Sequence, residues 1–196
     1  MRTIAIDLDD TLNDFTETLR RLEFVRDGTF ALAEPVFQDY LARVRLGEVA
    51  GGNLLSTEYT YFRQRIHQVC YQKALARPDG VAFLQGLRKD GWRIVICTQR
   101  DLRRAQSCTR QWLAENGIPF DHLFMAGNKI VFCKCWGIEF LVDNDEFNII
   151  HGSRYGVTVF YPRTAASPTP PEGHSDDPCG PRPFHNFEEI LPWIQG

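Results

Sequence analysis

Apolar positions in this chain fall into short continuous runs separated by longer stretches of helical spacing. The first run, residues 2–7, is β-branched and closes on a carboxylate, the pattern of a buried strand with polar groups at its C-terminal end. Residues 15–77 then read as mostly helical. Three stretches carry the spacing: about 14–25, about 34–46 with Phe37, Leu41 and Val44 on one face, and about 56–75 with Ser56 as N-cap. Gly28, Gly47, Gly51 and Gly52 punctuate them.

Beyond Pro78 the alternation becomes regular. Residues 81–89 predict an amphipathic helix with Phe83, Leu84 and Leu87 on its apolar side, stopped by Gly91. Residues 93–97 predict a second buried strand ending at Thr98, and 102–116 a helix closed by Gly117 and Pro119. A short third strand follows at 122–125, a short helix at 130–136, a fourth strand at 139–142 ending at Asp143, and a fifth at 157–161. Strands separated by helices imply right-handed crossovers, so the expected class is α/β with a Rossmann-like parallel sheet. Residues 162–183 hold seven of the eleven prolines and no apolar periodicity, which predicts an extended loop. Residues 184–194 predict a final helix docking through Phe187, Ile190, Leu191 and Trp193. The expected organisation is one core, residues 1–14 and 78–196, with a helical insert at 15–77.

Composition narrows this picture without redirecting it. The chain has 196 residues, 43% hydrophobic and 24% charged, the balance of an ordinary soluble domain. A formal net charge of -3 supplies no basic field for gripping a duplex by its phosphates, which argues against a dedicated nucleic-acid binder. No run reaches the roughly 18 apolar residues of a membrane helix, and Ile4-Ala5-Ile6 meets Asp7 before a secretory apolar region develops. Of six cysteines only Cys133 and Cys135 lie close together, with no second pair to complete a zinc site. The expectation is a cytoplasmic protein with reduced thiols and no membrane partner.

Functional groups of an open parallel sheet gather at the carboxyl ends of its strands. Here those ends carry Asp7 and Asp9, then Thr98, then Asp143, with Lys129 between the third and fourth strands. Carboxylates brought together repel one another. A hard divalent cation relieves that conflict, and oxygen ligands suit Mg²⁺, which keeps positions open for water and a substrate phosphate. Each residue also has a plainer reading. Asp7 and Asp9 suit a capped turn, Thr98 a helix N-cap, and Asp143 a turn after a strand. Lys129 suits a solvated surface position; Lys134, its competitor, falls inside the predicted helix and reads as exposed. Arg100, two residues after Thr98, reads either as a contact to phosphate or as a solvated loop residue.

Four segments resemble the motifs of the haloacid dehalogenase-like (HAD) phosphatases, in the same order. Asp7-Leu8-Asp9-Asp10-Thr11 resembles the first motif, DxDxT; Thr98 after 94–97 the second; Lys129 the third; and Asp143 after 140–142 the fourth. The resemblance covers about residues 1–14 and 78–160, and places 15–77 where that family carries its first-type helical cap. It implies an aspartyl-phosphate mechanism. Asp7 is then the nucleophile and Asp9 the general acid and base. Mg²⁺ is held by Asp7, the Asp9 carbonyl and Asp143, and Thr98 and Lys129 hold the phosphoryl oxygens. Two departures stand out. The fourth motif usually holds two acids, whereas Asp143 is followed by Asn144 and then Asp145, either of which could support the metal. Asp10 stands where many relatives have glycine.

Within the family, residues 124–129 and the closing helix resemble the 5'(3')-deoxyribonucleotidases, which implies a small phosphorylated substrate such as a nucleoside monophosphate. Aromatic residues of the insert, among them Phe15, Phe24, Phe37, Tyr40 and Tyr61, serve either its own core or base stacking. Its nine Lys or Arg against seven Asp or Glu in 15–78 suit an anionic substrate or solvated helix faces equally well. Residues 110–113 with 117–119 also resemble the phosphatase half of polynucleotide end-healing enzymes, implying a nucleic-acid 3'-phosphate instead. A non-catalytic binding module is the third reading, disfavoured by retention of both Asp7 and Asp9.

Overall fold

The computed structural model describes residues 2–22, 42, 46, 67–163 and 179–195. Its centre is a six-stranded sheet of β1 (Thr3–Ile6), β2 (Arg93–Thr98), β3 (His122–Met125), β4 (Phe140–Val142), β5 (Thr158–Pro162) and β6 (Arg182–Phe184), ordered β3-β2-β1-β4-β5-β6. Every pairing is parallel. The chain moves outward from β1 to β3 and then returns across the sheet to β4, so β1 and β4 are neighbours at the point where the direction of winding reverses. In such sheets the crevice above that point is the usual ligand site.

Both faces of the sheet are covered, which is why its strands appear in the sequence as unbroken apolar runs. The period-two alternation is nonetheless present. Ile4, Ile6, Ile94 and Ile96 pack with Leu84 and Leu87 of α3 (Pro78–Lys89), Trp112 of α4 (Leu102–Glu115), and Phe187. Ala5, Val95 and Leu141 pack on the opposite side with Phe132 and Cys133 of α5 (Lys129–Trp136) and Ile149 of α6 (Glu146–His151).

Two further described helices lie at the ends of the segment expected as an insert: α1 (Phe15–Arg21) follows β1 and α2 (His67–Lys73) precedes α3. Between them and the core, residues on either side of the insert bind each other. Asn13 and Ala76 form an antiparallel bridge. The Arg77 amide donates to the Leu12 carbonyl at 2.8 Å, and the Asp14 amide to the Leu75 carbonyl at 3.1 Å. The Asp14 carboxylate accepts from the Leu75 amide at 2.6 Å, and Trp112 Nε1 donates to the Ala74 carbonyl at 2.7 Å. The inserted chain thus leaves and returns through one hydrogen-bonded neck. The predicted helix at 34–46, all but its isolated residues 42 and 46, lies outside the described residues, as do the Ser56 cap and most of the insert.

Two sequence expectations need correction, and one helix is new. Residues 184–194 are not one helix: Phe184 is the last residue of β6, opposite Pro162 and buried. The helical part starts only after Asn186, whose side chain accepts from the Glu188 amide while Glu189 bonds back to the Asn186 amide. It runs as a 3₁₀ turn, Phe187–Ile190, then α7, Leu191–Ile194. The loop expected at 162–183 is strand at both ends, and residues 164–178 lie outside the described residues. Helix α6 was not anticipated; its N-cap Asp145 accepts from the Asn148 amide at 3.2 Å.

Two predictions follow from this packing. A Cβ at Gly152 would collide with Val159 Cγ2 and lie 2.7 Å from the Val157 carbonyl oxygen. Gly152→Ala should cost about 1–3 kcal/mol in urea unfolding, because the obstructing groups are Val159 of β5 and the backbone that leads into it. Asp121 accepts from Arg88 Nη1 at 2.9 Å and from the Ile94 amide at 2.7 Å. Burial alone would raise its carboxyl, but these donors hold it below the ordinary 3.8. The stabilisation is therefore present above that value and lost as pH falls through the lower folded value. Asp121→Asn should show a stability deficit at neutral pH that closes in acid, measured by denaturant unfolding from pH 7 to pH 2.

Candidate active site

The sheet ladder continues one residue past β1 and β4. The Asp7 amide donates to the Val142 carbonyl and the Asp143 amide to the Phe160 carbonyl, each at 2.9 Å. This fixes both aspartates at the carboxyl edge on adjacent strands. Lys129, the first residue of α5, reaches them from the loop after β3. Its Nζ lies 2.8 Å from Asp7 Oδ1 and 2.9 Å from Asp143 Oδ2. All three are buried, Asp143 completely. Asn128 caps α5 by accepting from the Val131 amide at 3.1 Å, which sets the direction in which Lys129 leaves the helix.

Two carboxylates and one ammonium leave this buried cluster with an excess negative charge. Burial pushes the Asp7 carboxyl up to about 7; Lys129 pulls against that, while Asp143 and Asp9 add to it. The Asp143 carboxyl is likewise raised by burial, against Lys129. Burial would lower the Lys129 ammonium, but the two aspartates hold it above its ordinary value. Asp143 is oriented further by the Asp145 amide on Oδ1 at 3.0 Å and by Asn148 Nδ2 on Oδ2 at 2.8 Å.

After Asp7 the chain turns sharply. The amides of Thr11, Leu12 and Asn13 all point at the Leu8 carbonyl. Asp10 has φ +58°, a left-handed conformation that explains why glycine suits this position. Aspartate is accommodated because its carboxylate accepts from the Thr16 amide at 2.7 Å and from Thr16 Oγ1 at 2.5 Å, tying the turn to α1. Thr11 Oγ1 donates to Asn144 Oδ1 at 3.2 Å.

Asp9 stands apart from the lysine cluster. Its Oδ2 accepts from Arg100 Nε at 2.9 Å, and its Oδ1 from Arg100 Nη2 at 2.5 Å and Asn13 Nδ2 at 3.2 Å. Arg100 is only 3% exposed, so the reading of it as a solvated loop residue is overturned. Lys134 is exposed, as expected. Asp7, Asp9, Thr98, Lys129, Asn144 and Asp145 line one crevice of about 320 Å³, with Arg100 at its wall. Thr98 is the last residue of β2, buried, with its hydroxyl 3.4 Å from the Arg100 amide.

The donor set suits a hard cation. Among the described residues no three His, Cys, Asp or Glu side chains form a metal cluster. Two carboxylates that share one ammonium are nevertheless close enough to share one ion, and the upward shift at Asp7 marks charge that such an ion would relieve. Asn144 is held by Thr11, and Asp145 is the cap of α6.

Sequence reasoning missed Asn13, Asn148, Thr109 and Tyr71 as supports of this site. Asn148 lies three residues after a capping acid, a faint local signal; Tyr71 and Thr109 come from remote helices and carry none.

No protein-family model matches the chain, and no curated protein is matched by its sequence. Solved structures do match. A haloacid dehalogenase-like hydrolase from Streptococcus pneumoniae is 14% identical with TM-score 0.64, covering 100% of this chain and 99% of that one. An L-2-haloacid dehalogenase is 17% identical with TM-score 0.61, covering 100% and 99%. CbbY from Rhodobacter sphaeroides, in complex with phosphate, is 14% identical with TM-score 0.55, covering 100% of both chains. The chain therefore has the haloacid dehalogenase-like fold.

Removing the central ammonium tests the electrostatics. Lys129→Met should destabilise the metal-free protein by about 3–5 kcal/mol, because it leaves two buried carboxylates uncompensated. Added Mg²⁺ should recover part of that loss in a thermal melt.

Proposed function

We propose that the protein is a cytoplasmic, Mg²⁺-dependent phosphomonoester hydrolase that works through an aspartyl-phosphate on Asp7. The observation carrying this reading is the Lys129 ammonium set between Asp7 and Asp143, which close adjacent strands, with Asp7 and Lys129 lining one crevice together with Thr98 and Asp9 and Asp143 buried behind them. Asp7, the Asp9 carbonyl and Asp143 would hold Mg²⁺, which when bound supplies charge neutralisation for the incoming phosphate dianion.

Asp7 Oδ attacks phosphorus, and the bond from phosphorus to the ester oxygen breaks. Asp9 gives that oxygen a proton, releasing an alcohol. Water then attacks the aspartyl-phosphate, its proton passing to Asp9, and the Asp7–phosphorus bond breaks to give inorganic phosphate. Thr98 and Lys129 hold the phosphoryl oxygens throughout, so most of the catalysis is positioning and charge stabilisation.

The fold alone also accommodates dehalogenation, since one similar structure is that of an L-2-haloacid dehalogenase. Asp9 favours phosphate: an alkoxide needs a proton to leave, and a halide does not. CbbY and a HAD family hydrolase from Deinococcus radiodurans R1 (TM-score 0.56, 14% identical) hold bound phosphate, the latter with sodium. A nucleoside or deoxynucleoside monophosphate is the favoured substrate, supported by the resemblance of residues 124–129 and by a small crevice that Phe15 and Tyr71 also line. A polynucleotide substrate gains no support from its motif, since Trp112 is a core residue bonded to Ala74.

The test is phosphate release with and without Mg²⁺ across deoxynucleotides, ribonucleotides, sugar phosphates and 3'-phosphorylated oligonucleotides. Release is expected from nucleoside monophosphates and only with the metal. Asp7→Asn should abolish it, and Asp9→Asn should slow it by about 10²–10⁴-fold. Undiminished release by Asp7→Asn would remove the nucleophile.

A further inference from the structure

The Arg100 guanidinium makes four contacts, and three of its five N–H groups are committed by them. Nε and Nη2 take the two oxygens of Asp9, Nη1 donates to Thr109 Oγ1 at 3.1 Å, and the guanidinium carbon lies 3.8 Å from the centre of the Tyr71 ring. The two ends of the ion pair differ in exposure: 1% for the Arg100 side chain and 23% for that of Asp9. The buried member is anchored on α4 and α2, and the half-buried member projects into the crevice.

We propose that Arg100 is the positioning residue for Asp9, fixing the carboxylate that serves the leaving group, with Thr109 and Tyr71 as its buttresses. This rests on the phosphatase reading above. A fork of two parallel N–H bonds sets both the place and the plane of a carboxylate, which a lysine point charge does not. With three of its five N–H groups turned to Asp9 and Thr109, one face on Tyr71 and its side chain 1% exposed, the guanidinium is directed at the acid rather than at phosphate. Tyr71 belongs to α2, the returning end of the insert, so the anchor of the acid is built partly from that segment.

The leaving group supplies the test. An aryl phosphate such as p-nitrophenyl phosphate expels a stable anion and depends little on a proton donor; a deoxynucleoside monophosphate expels an alkoxide and depends on it strongly. Arg100→Lys should lower kcat on the alkyl ester by about 100-fold, with a much smaller fall on the aryl ester and little change in KM for either. In an Asp9→Asn background, Arg100→Lys should produce no further fall. Tyr71→Leu, which keeps the ion pair, should show the same selectivity at smaller amplitude and carries the test if Arg100→Lys does not fold. Equal falls on both esters, a loss carried by KM, or full additivity with Asp9→Asn would overturn the assignment. Wild-type protein that releases phosphate from no ester overturns both readings. An active wild type with unselective variants overturns only this one.

Discussion

The contact on which the site depends is one buried ammonium set between two buried carboxylates. Asp7 and Asp143 lie on neighbouring strands whose ladder runs one residue beyond the strand ends, so their backbones cannot move apart. Without Lys129 their charges would meet in a medium that screens poorly. With it, one carboxylate remains unmatched when both are ionised, and burial raises the Asp7 carboxyl against that charge. The fold thus builds a place short of positive charge at the point where the winding of the sheet reverses.

A second ion pair stands beside the first and is wired differently. Lys129 joins elements of the sheet core, whereas Arg100 joins the turn after β1 to helices α4 and α2. The two DxD carboxylates, only two residues apart in the chain, therefore pair with different cations, Asp7 with Lys129 and Asp9 with Arg100. The turn makes this separation, and Asp10 in its left-handed conformation makes the turn. Environments that differ in this way allow two identical side chains to take different chemical roles.

Much of the core was legible in the sequence because its signals were local. β2 and β3 were anticipated within a residue, and Gly91 and Gly117 ended helices where expected, each with positive φ. The positions of Asp7, Thr98 and Asp143 followed from strand ends in a parallel sheet, and that of Lys129 from its place between the third and fourth strands. The misses have a common cause. Strand β6 is three residues long and contains Pro183, so its identity depends on pairing with β5 rather than on its composition. Arg100 looked like a loop residue because its burial comes from Tyr71 and Thr109, 29 and 9 positions away, and no local pattern announces such partners.

The neck at residues 12–14 and 75–77 has a consequence for how such a chain can diversify. Its hydrogen bonds close the backbone on the core side, directly beneath the turn that carries Asp9 and Asp10. Chain threaded outward from that clasp can lengthen or shorten without pulling on β1. The entropic cost of a longer excursion is small, about 0.6 kcal/mol per doubling. The clasp is accordingly a grafting point: outer segments can be exchanged there without disturbing the sheet, provided the returning helix keeps Tyr71 against Arg100.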